Sequence, residues 1–167
     1  MEKRLRVSRR RVLTGGGAAL AAALVPVRAD AGWAQREWTA AEQANVKVAN
    51  ALLKAWETKD ADGLARLFAA DGKARTTAHT MQPAVNPQGL KEAAAKFFAT
   101  GGVQFKVLET VAQGPLVVNL RIDRITSKDG LRDLHYSGVF LIKDGKIQEW
   151  NDYEVAPATP VKPGQPL

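Results

Sequence analysis

Two short runs in the last third of the chain carry residue types that suit acid-base chemistry. The first runs from Arg121 to Asp123 and the second from Trp150 to Asp152. Both lie in segments with the pattern of β-strands, where side chains two residues apart share a face. Each run therefore points its two end residues the same way. If the strands belong to one sheet with those faces turned inward, two carboxylates and a guanidinium converge in a pocket.

Buried carboxylates survive only when they are paired, and burial and neighbouring charges push their proton affinities apart. When the two proton affinities differ, one carboxyl group keeps its proton and can act as an acid while the other is ionised and can act as a base. A different arrangement is open, however, in which Arg121 and Asp123 stand in water while the helices cover Val118, Leu120 and Ile122. If the helices cover the polar face instead, a polar pocket forms and the apolar face needs a second subunit. Periodicity alone leaves both arrangements open.

The last strand raises a similar question. Trp150 and Asp152 lie on one face, and simple alternation puts Ile147, Tyr153 and Val155 on the other. A tryptophan beside a carboxylate is typical of the wall of a ligand pocket, but a tryptophan in an ordinary hydrophobic core fits the pattern equally well.

The amino end predicts an export signal. A basic start leads to paired arginines at Arg9 and Arg10, followed by an apolar run over 15–27. That run is shorter than the ~20 residues a membrane-spanning helix needs. A small-x-small site at 29–31 completes the pattern of a cleaved signal, and the arginine pair resembles the twin-arginine signal. We expect the twin-arginine machinery to export the protein to the periplasm or beyond, with cleavage of 1–31 leaving no stable membrane anchor; an uncleaved anchor or a basic tail is the alternative.

The charge of the chain depends strongly on that segment. The sequence has 24 Lys and Arg residues against 17 Asp and Glu, a formal net charge of +7. Seven of the basic and two of the acidic residues lie in 1–31, which leaves 17 basic and 15 acidic residues elsewhere. Those basic residues form no stripe, so no nucleic-acid partner is expected. With no cysteine and two distant histidines, His79 and His135, no metal site is expected either.

The elements that position the acidic runs begin with helices. The capping box Thr39-Ala40-Ala41-Glu42 opens a first helix. Asp60 opens a shorter second helix that is expected to end at Asp71-Gly72. Residues 73–81 are polar and have room for a short strand. Asn86-Pro87 then caps a third helix, which the next glycine pair ends.

After the third helix the periodicity becomes strand-like. Turn signals at 113–115, 128–130 and 144–145 divide the chain into four segments of about ten residues, and such short loops force an antiparallel meander. Helices followed by a meander predict an α+β fold. We expect one domain over residues 32–155, followed by a Pro-rich, polyproline-like tail over 156–167.

The order of these elements and several local motifs resemble the limonene-1,2-epoxide hydrolase family, within the SnoaL-like part of the nuclear transport factor 2-like superfamily. The resemblance covers roughly residues 42–155. Its motifs are Leu53-Lys54-Ala55-Trp56, Phe68-Ala69-Ala70-Asp71, Arg121-Ile122-Asp123, Gly138-Val139-Phe140, and the run from Gly145 to Tyr153. The family implies a cone-shaped, curved antiparallel sheet with three N-terminal helices packed over a central pocket, and it implies a homodimer.

The resemblance also implies a mechanism and a role for each residue. Asp152, ionised, is the general base that takes a proton from water. Asp123, protonated, is the general acid that gives a proton to the epoxide oxygen, and Arg121 bridges the two carboxylates. Water attacks a small apolar epoxide directly and a vicinal diol leaves, without a metal or cofactor.

The chain departs from the family at one point. The family positions its water with a Tyr and an Asn on the short strand after the second helix, and residues 73–81 contain neither. The polar candidates there are Arg75, Thr76, Thr77 and His79. Two alternatives therefore stay open beside the epoxide hydrolase. They are a non-catalytic exported protein that binds a small ligand, and an isomerase or polyketide-cyclase-like enzyme on the same fold.

Overall fold

The computed structural model describes residues 36–162 and 164–167. The expected export signal over 1–31 lies outside these residues. The three helices lie in the first part of the described chain, with one strand between the second and the third helix, and four strands follow. The elements are α1 (Ala40–Glu57), α2 (Ala61–Arg66), β1 (Phe68–Arg75), a short 3₁₀ turn (Ala78–Thr80), α3 (Pro87–Thr100), β2 (Gly102–Gln113), β3 (Leu116–Ser127), β4 (Gly130–Lys143) and β5 (Lys146–Val161). Within the described part of the chain, no helix has the length and apolar character needed to cross a membrane.

The predicted helix starts are confirmed. The Thr39 hydroxyl accepts a hydrogen bond from the Glu42 N–H at 3.2 Å, and the Glu42 carboxylate accepts one from the Thr39 N–H at 2.9 Å. These reciprocal bonds satisfy backbone donors that the first turn of α1 leaves unpaired. At α3 the Asn86 side chain accepts from the Gly89 N–H at 2.8 Å, and Pro87 occupies the first turn.

The predicted end of the second helix at Asp71-Gly72 is wrong, because α2 stops at Arg66 and β1 begins at Phe68. The Leu67 carbonyl accepts a hydrogen bond from the Ile147 N–H at 2.9 Å, and Phe68 pairs with Ile147 in a parallel ladder. This pairing buries Phe68 to 5% exposure. The segment after Leu67 therefore forms a strand in spite of its helical pattern, because it pairs with a strand that lies far away in the sequence.

The sheet has the strand order β1-β5-β4-β3-β2. Strands β2 to β5 form the predicted antiparallel meander, and β1 joins its edge parallel to β5, so the sheet is mixed. The helices pack on one face of the sheet, where buried apolar residues of helices and strands meet. The largest apolar side chains that are fully buried there are Leu52, Leu64, Leu90, Val117, Phe140, Ile142 and Ile147.

The helices cover the polar face of β3, which decides the question that periodicity left open. Asn119, Arg121 and Asp123 are buried, whereas Leu120 is 44% exposed. The opposite face of the sheet carries a group of exposed apolar side chains, which we call the outer apolar face. Its members are Leu116, Leu120, Leu141, Tyr153 and Val155.

A bulge in β5 corrects the expected orientation of Ile147. Leu141 of β4 pairs with Glu149, but the next residue, Ile142, pairs with Ile147, so β5 carries one extra residue there. A bulge shifts the alternation of side chains by one position. Ile147 is consequently fully buried on the same face as Trp150, while Tyr153 lies on the outer face as predicted.

The expected boundary of the tail at residue 156 falls inside β5, which pairs with β4 as far as Val161. Pro157 and Pro160 therefore belong to a strand. Proline is tolerated in this part of β5 because β1 pairs with it only as far as Asn151, which leaves the later edge without a neighbour that needs the missing N–H. Residues 164–167 lie against β3, where the Arg124 guanidinium donates to the Pro166 carbonyl at 3.2 Å.

Candidate active site

Arg121 occupies the centre of the buried face of β3 and is 1% exposed. Its Nη1 donates a hydrogen bond to Asn119 Oδ1 at 2.9 Å, and its Nη2 donates to Asp123 Oδ2 at 3.1 Å and pairs with Asp152 Oδ2. Its Nε lies 2.8 Å from Asp123 Oδ1 as an ion pair, without the alignment of a hydrogen bond. The structure therefore brings the three predicted residues together, with one guanidinium between two carboxylates.

Two strands that are not neighbours supply the carboxylates, and β4 lies between them. Gly138 of β4 is in register with Asn119 of β3 and with Asp152 of β5. A Cβ atom at Gly138 would overlap Arg121 Nη1, and it would lie 2.7 Å from Asn119 Oδ1 and 3.1 Å from Asp152 Oδ1. The missing side chain of Gly138 is thus the gap through which Arg121 reaches across β4.

Two aromatic rings flank the Arg121 guanidinium. Its central carbon lies 5.4 Å from the ring centre of Phe105 and 5.7 Å from that of Tyr136. A cation at such a distance from an aromatic ring is attracted by the ring quadrupole, and the attraction is stronger where water is excluded. Burial opposes the charge of Arg121, but the charges of Asp152 and Asp123 outweigh it and raise the pKa of Arg121, so the guanidinium stays ionised.

Asp123 is a buried carboxyl group that holds a proton more readily than an ordinary aspartate does. Burial raises the pKa of Asp123 to about 7, an effect that Arg121 opposes and the charge of Asp152 reinforces. Its Oδ1 is buried and forms no hydrogen bond with any described residue. An oxygen that accepts no hydrogen bond can carry a proton, and with a pKa of about 7 Asp123 is neutral below about pH 7.

Asp152 is held differently. Its Oδ1 accepts a hydrogen bond from Trp150 Nε1 at 2.7 Å, and its Oδ2 accepts from Arg121. Burial raises the pKa of Asp152, whereas Arg121 and the Trp150 N–H pull it down. Because donors to both oxygens favour the ionised form, Asp152 is the partner that carries the negative charge when the pair holds one proton.

The site opens into a cavity of about 430 Å³, a size typical of small-ligand pockets. Arg121, Asp123 and Asp152 line it together with Thr76, Thr77 and Tyr136, and the rest of the wall is apolar. Its aromatic side pairs Trp56 with Trp150 at 6.2 Å between ring centres. The other apolar lining residues are Val85, Leu90, Ala93, Phe97, Val103, Phe105, Ile125 and Leu134.

The polar residues of 73–81 that the sequence offers for positioning water differ in whether they line the cavity. Thr76 and Thr77 line the cavity. The Arg75 guanidinium instead donates to Glu149 and to Asn151, each at 2.9 Å, and the side chain of His79 is not among the described ones. In the described ranges, no three His, Asp or Glu side chains group closely enough to hold a metal ion.

Sequence reasoning missed three residues of the site. Asn119 had a signal, since it lies two residues before Arg121 on the same face of β3. Gly138 lies in a motif that carries the family resemblance, but its purpose depends on its register with β3 and β5. Tyr136 had no sequence signal that set it apart from a core tyrosine.

Comparisons with known proteins agree with this architecture. Residues 49–150 match the family model of the SnoaL-like domain. A structure of an LEH-like epoxide hydrolase from M. tuberculosis superposes with a TM-score of 0.61 at 19% identity, covering 68% of this chain and 84% of that chain. A putative ketosteroid isomerase from Kribbella flavida superposes with a TM-score of 0.57 at 15% identity, covering 72% of this chain and 84% of that one.

AusH from Aspergillus nidulans has a TM-score of 0.60 at 14% identity, covering 69% and 86% of the two chains. No curated protein sequence matches the chain. At such low identities the structural likeness concerns the fold alone. It confirms the α+β, nuclear transport factor 2-like fold expected from the sequence.

Proposed function

The chain belongs to the SnoaL-like domain family, and from this premise we propose that it is a cofactor-independent epoxide hydrolase. The observation that carries the proposal is the bridge of Arg121 between Asp123 and Asp152 at the wall of an apolar cavity. The fold hosts different reactions, so function has to be argued from this site. A small apolar epoxide suits the site, because its carbon skeleton can pack against the apolar wall and its one oxygen can accept a proton from Asp123.

The reaction needs one acid and one base at the same pH. Asp152, ionised, accepts a proton from a water molecule as the water oxygen forms a bond to an epoxide carbon. The bond between that carbon and the epoxide oxygen breaks, and Asp123 gives its proton to the departing oxygen. Epoxide and water become a vicinal diol, and the pair has exchanged its single proton from Asp123 to Asp152. General acid or base assistance contributes ~10²–10⁴-fold for each group.

Arg121 allows the proton to return from Asp152 to Asp123 between turnovers. It contacts both carboxylates, so the pair keeps one guanidinium charge beside one carboxylate charge before and after the proton moves. The site then returns to its starting state when a proton passes from Asp152 back to Asp123, directly or through water. The ring strain of the epoxide drives opening, so a placed acid and a placed water are sufficient.

The test is diol formation from a panel of small apolar epoxides, with the wild type beside Asp123→Asn and Asp152→Asn. Asp129→Asn is the matched control, because Asp129 is an exposed carboxylate in the β3–β4 turn. We expect each site variant to lose at least ~10²-fold in kcat and to keep its fold by circular dichroism, while the control stays active.

The outcomes separate the proposal from the alternatives. A wild type that binds epoxides without forming diol supports a ligand-binding protein and contradicts the hydrolase. Isomerised product, with no oxygen gained from water, supports an isomerase. Site variants that keep wild-type rates would contradict the assignment of the two acids even if diol forms.

A further inference from the structure

Tyr136 of β4 is the one remaining buried hydroxyl group on the wall of the cavity, among the described residues that line it. We propose that Tyr136 is a further catalytic residue, whose hydroxyl donates a hydrogen bond to the epoxide oxygen that Asp123 protonates. This inference rests on the proposed function and deepens it by giving the reacting oxygen a second donor.

The register of the sheet places Tyr136 between the two acids. Tyr136 pairs with Arg121 on β3 and with Glu154 on β5. Asp123 lies two residues after Arg121, and Asp152 lies two residues before Glu154. Both acids are therefore diagonal neighbours of Tyr136, on the strands at either side, and share its face. Diagonal neighbours lie about 7–8 Å apart, within reach of an aromatic side chain.

The ring of Tyr136 is fixed, but its hydroxyl is available. Tyr136 is 8% exposed, and its ring centre lies 5.7 Å from the guanidinium carbon of Arg121. Among the described side chains and backbone groups, none forms a hydrogen bond with the Tyr136 hydroxyl. A phenol that lines a cavity without a protein partner is satisfied only by a ligand or water.

The electrostatics of the site make Tyr136 a donor and not an acid. Burial, followed by the charges of Glu154, Asp152 and Asp123, raises the pKa of Tyr136 to about 12 against the opposing charge of Arg121. The hydroxyl therefore keeps its proton at every pH where Asp123 can act. Negative charge grows on the epoxide oxygen as its bond to carbon breaks, and a fixed donor is worth most at that moment.

The test is Tyr136→Phe, which removes the hydroxyl and keeps the ring beside Arg121. The matched control is Tyr153→Phe, at the other tyrosine of the chain, which is 42% exposed on the outer apolar face. Loss of one such donor lowers kcat by ~10²–10³-fold. We expect that loss for Tyr136→Phe with little change in KM, because the bond strengthens only as the charge develops. Tyr153→Phe should keep both constants.

Two failures are distinguishable. If wild type forms diol and Asp123→Asn abolishes it, but Tyr136→Phe keeps its kcat, the hydroxyl has no catalytic part and this inference alone is wrong. If wild type forms no diol from any epoxide, the proposed function and this inference fall together. Should Tyr136→Phe not fold, 3-fluorotyrosine in the Tyr153→Phe background changes only the acidity of the hydroxyl at 136, and an unchanged kcat would overturn the inference.

Discussion

Replacing Gly138 by alanine tests whether Arg121 truly passes over β4 to join the two carboxylates. The new methyl group would occupy the space of Arg121 Nη1, and it would also lie 2.7 Å from Asn119 Oδ1. The β4 backbone is paired on both sides at this position and cannot move away without breaking ladder hydrogen bonds. The guanidinium must therefore shift, and its contacts with Asn119 and Asp152 are the first to break.

The expected cost follows from the burial of these groups. Arg121 is 1% exposed and Asp152 is 4% exposed, so water has little room to replace the lost contacts. Losing one hydrogen bond to a buried charged group costs ~1.5–3 kcal/mol. Breaking a buried ion pair so that its members are left alone costs ~3–5 kcal/mol. We expect Gly138→Ala to lower the free energy of unfolding by about 2–5 kcal/mol, and to abolish diol formation.

The assay is urea denaturation, with Gly102→Ala as the matched control. Gly102 begins β2, and a methyl group there would meet Lys59 Cε at 3.5 Å, an ordinary contact with a flexible side chain. A substitution of this kind usually changes stability by no more than ~0.5 kcal/mol. A double-mutant cycle with Arg121→Met strengthens the test, because most of the Gly138→Ala penalty should vanish when Nη1 is absent.

One outcome would rule out this packing of Arg121 against Gly138. If Gly138→Ala unfolds at the same urea concentration as Gly102→Ala and remains active, the guanidinium does not fill the gap at Gly138. The bridge between Asp123 and Asp152 would then not be the arrangement that the protein uses.

Two further predictions concern pH and association. The pH profile of kcat/KM should be bell-shaped, falling above about pH 7 as Asp123 loses its proton and falling on the acid side as Asp152 gains one. Trp150→Phe removes a donor to ionised Asp152, so its pKa should rise and the acid limb should move to higher pH, whereas an unmoved limb would contradict the assignment of Asp152. We also propose that a second copy of the chain covers the outer apolar face, because its side chains are exposed in the single chain. Sedimentation should then give a homodimer that Leu120→Asp dissociates, and a wild-type monomer would contradict this.

The local part of the fold was predictable because its signals are local. The capping box at Thr39, the Asn86-Pro87 start and the glycine-containing turns each act over a few residues, and they place α1, α3 and the meander correctly. Strand alternation grouped Arg121 with Asp123 and Trp150 with Asp152, and the family resemblance joined the two groups. The structure then showed that both groups lie on the covered face.

The errors all come from the way in which strands pair with one another. Phe68 fits a helix by pattern, but pairing with Ile147 makes it a strand. The bulge that turns Ile147 inward depends on how β4 and β5 align, and no short motif encodes that alignment. Gly138 and Tyr136 acquire their importance in the same way, because only register sets them opposite Asn119 and Arg121. A single sequence carries no direct record of register.

In the proposed mechanism, water attacks the epoxide directly, activated by one carboxylate of the bridged pair while the other supplies a proton. A single turnover in H₂¹⁸O, with enzyme in excess over epoxide, distinguishes this route from a covalent one. We expect one ¹⁸O atom in the diol from the first turnover and none in the protein. An unlabelled diol with ¹⁸O left in Asp123 or Asp152 would show a covalent ester and rule out direct attack by water.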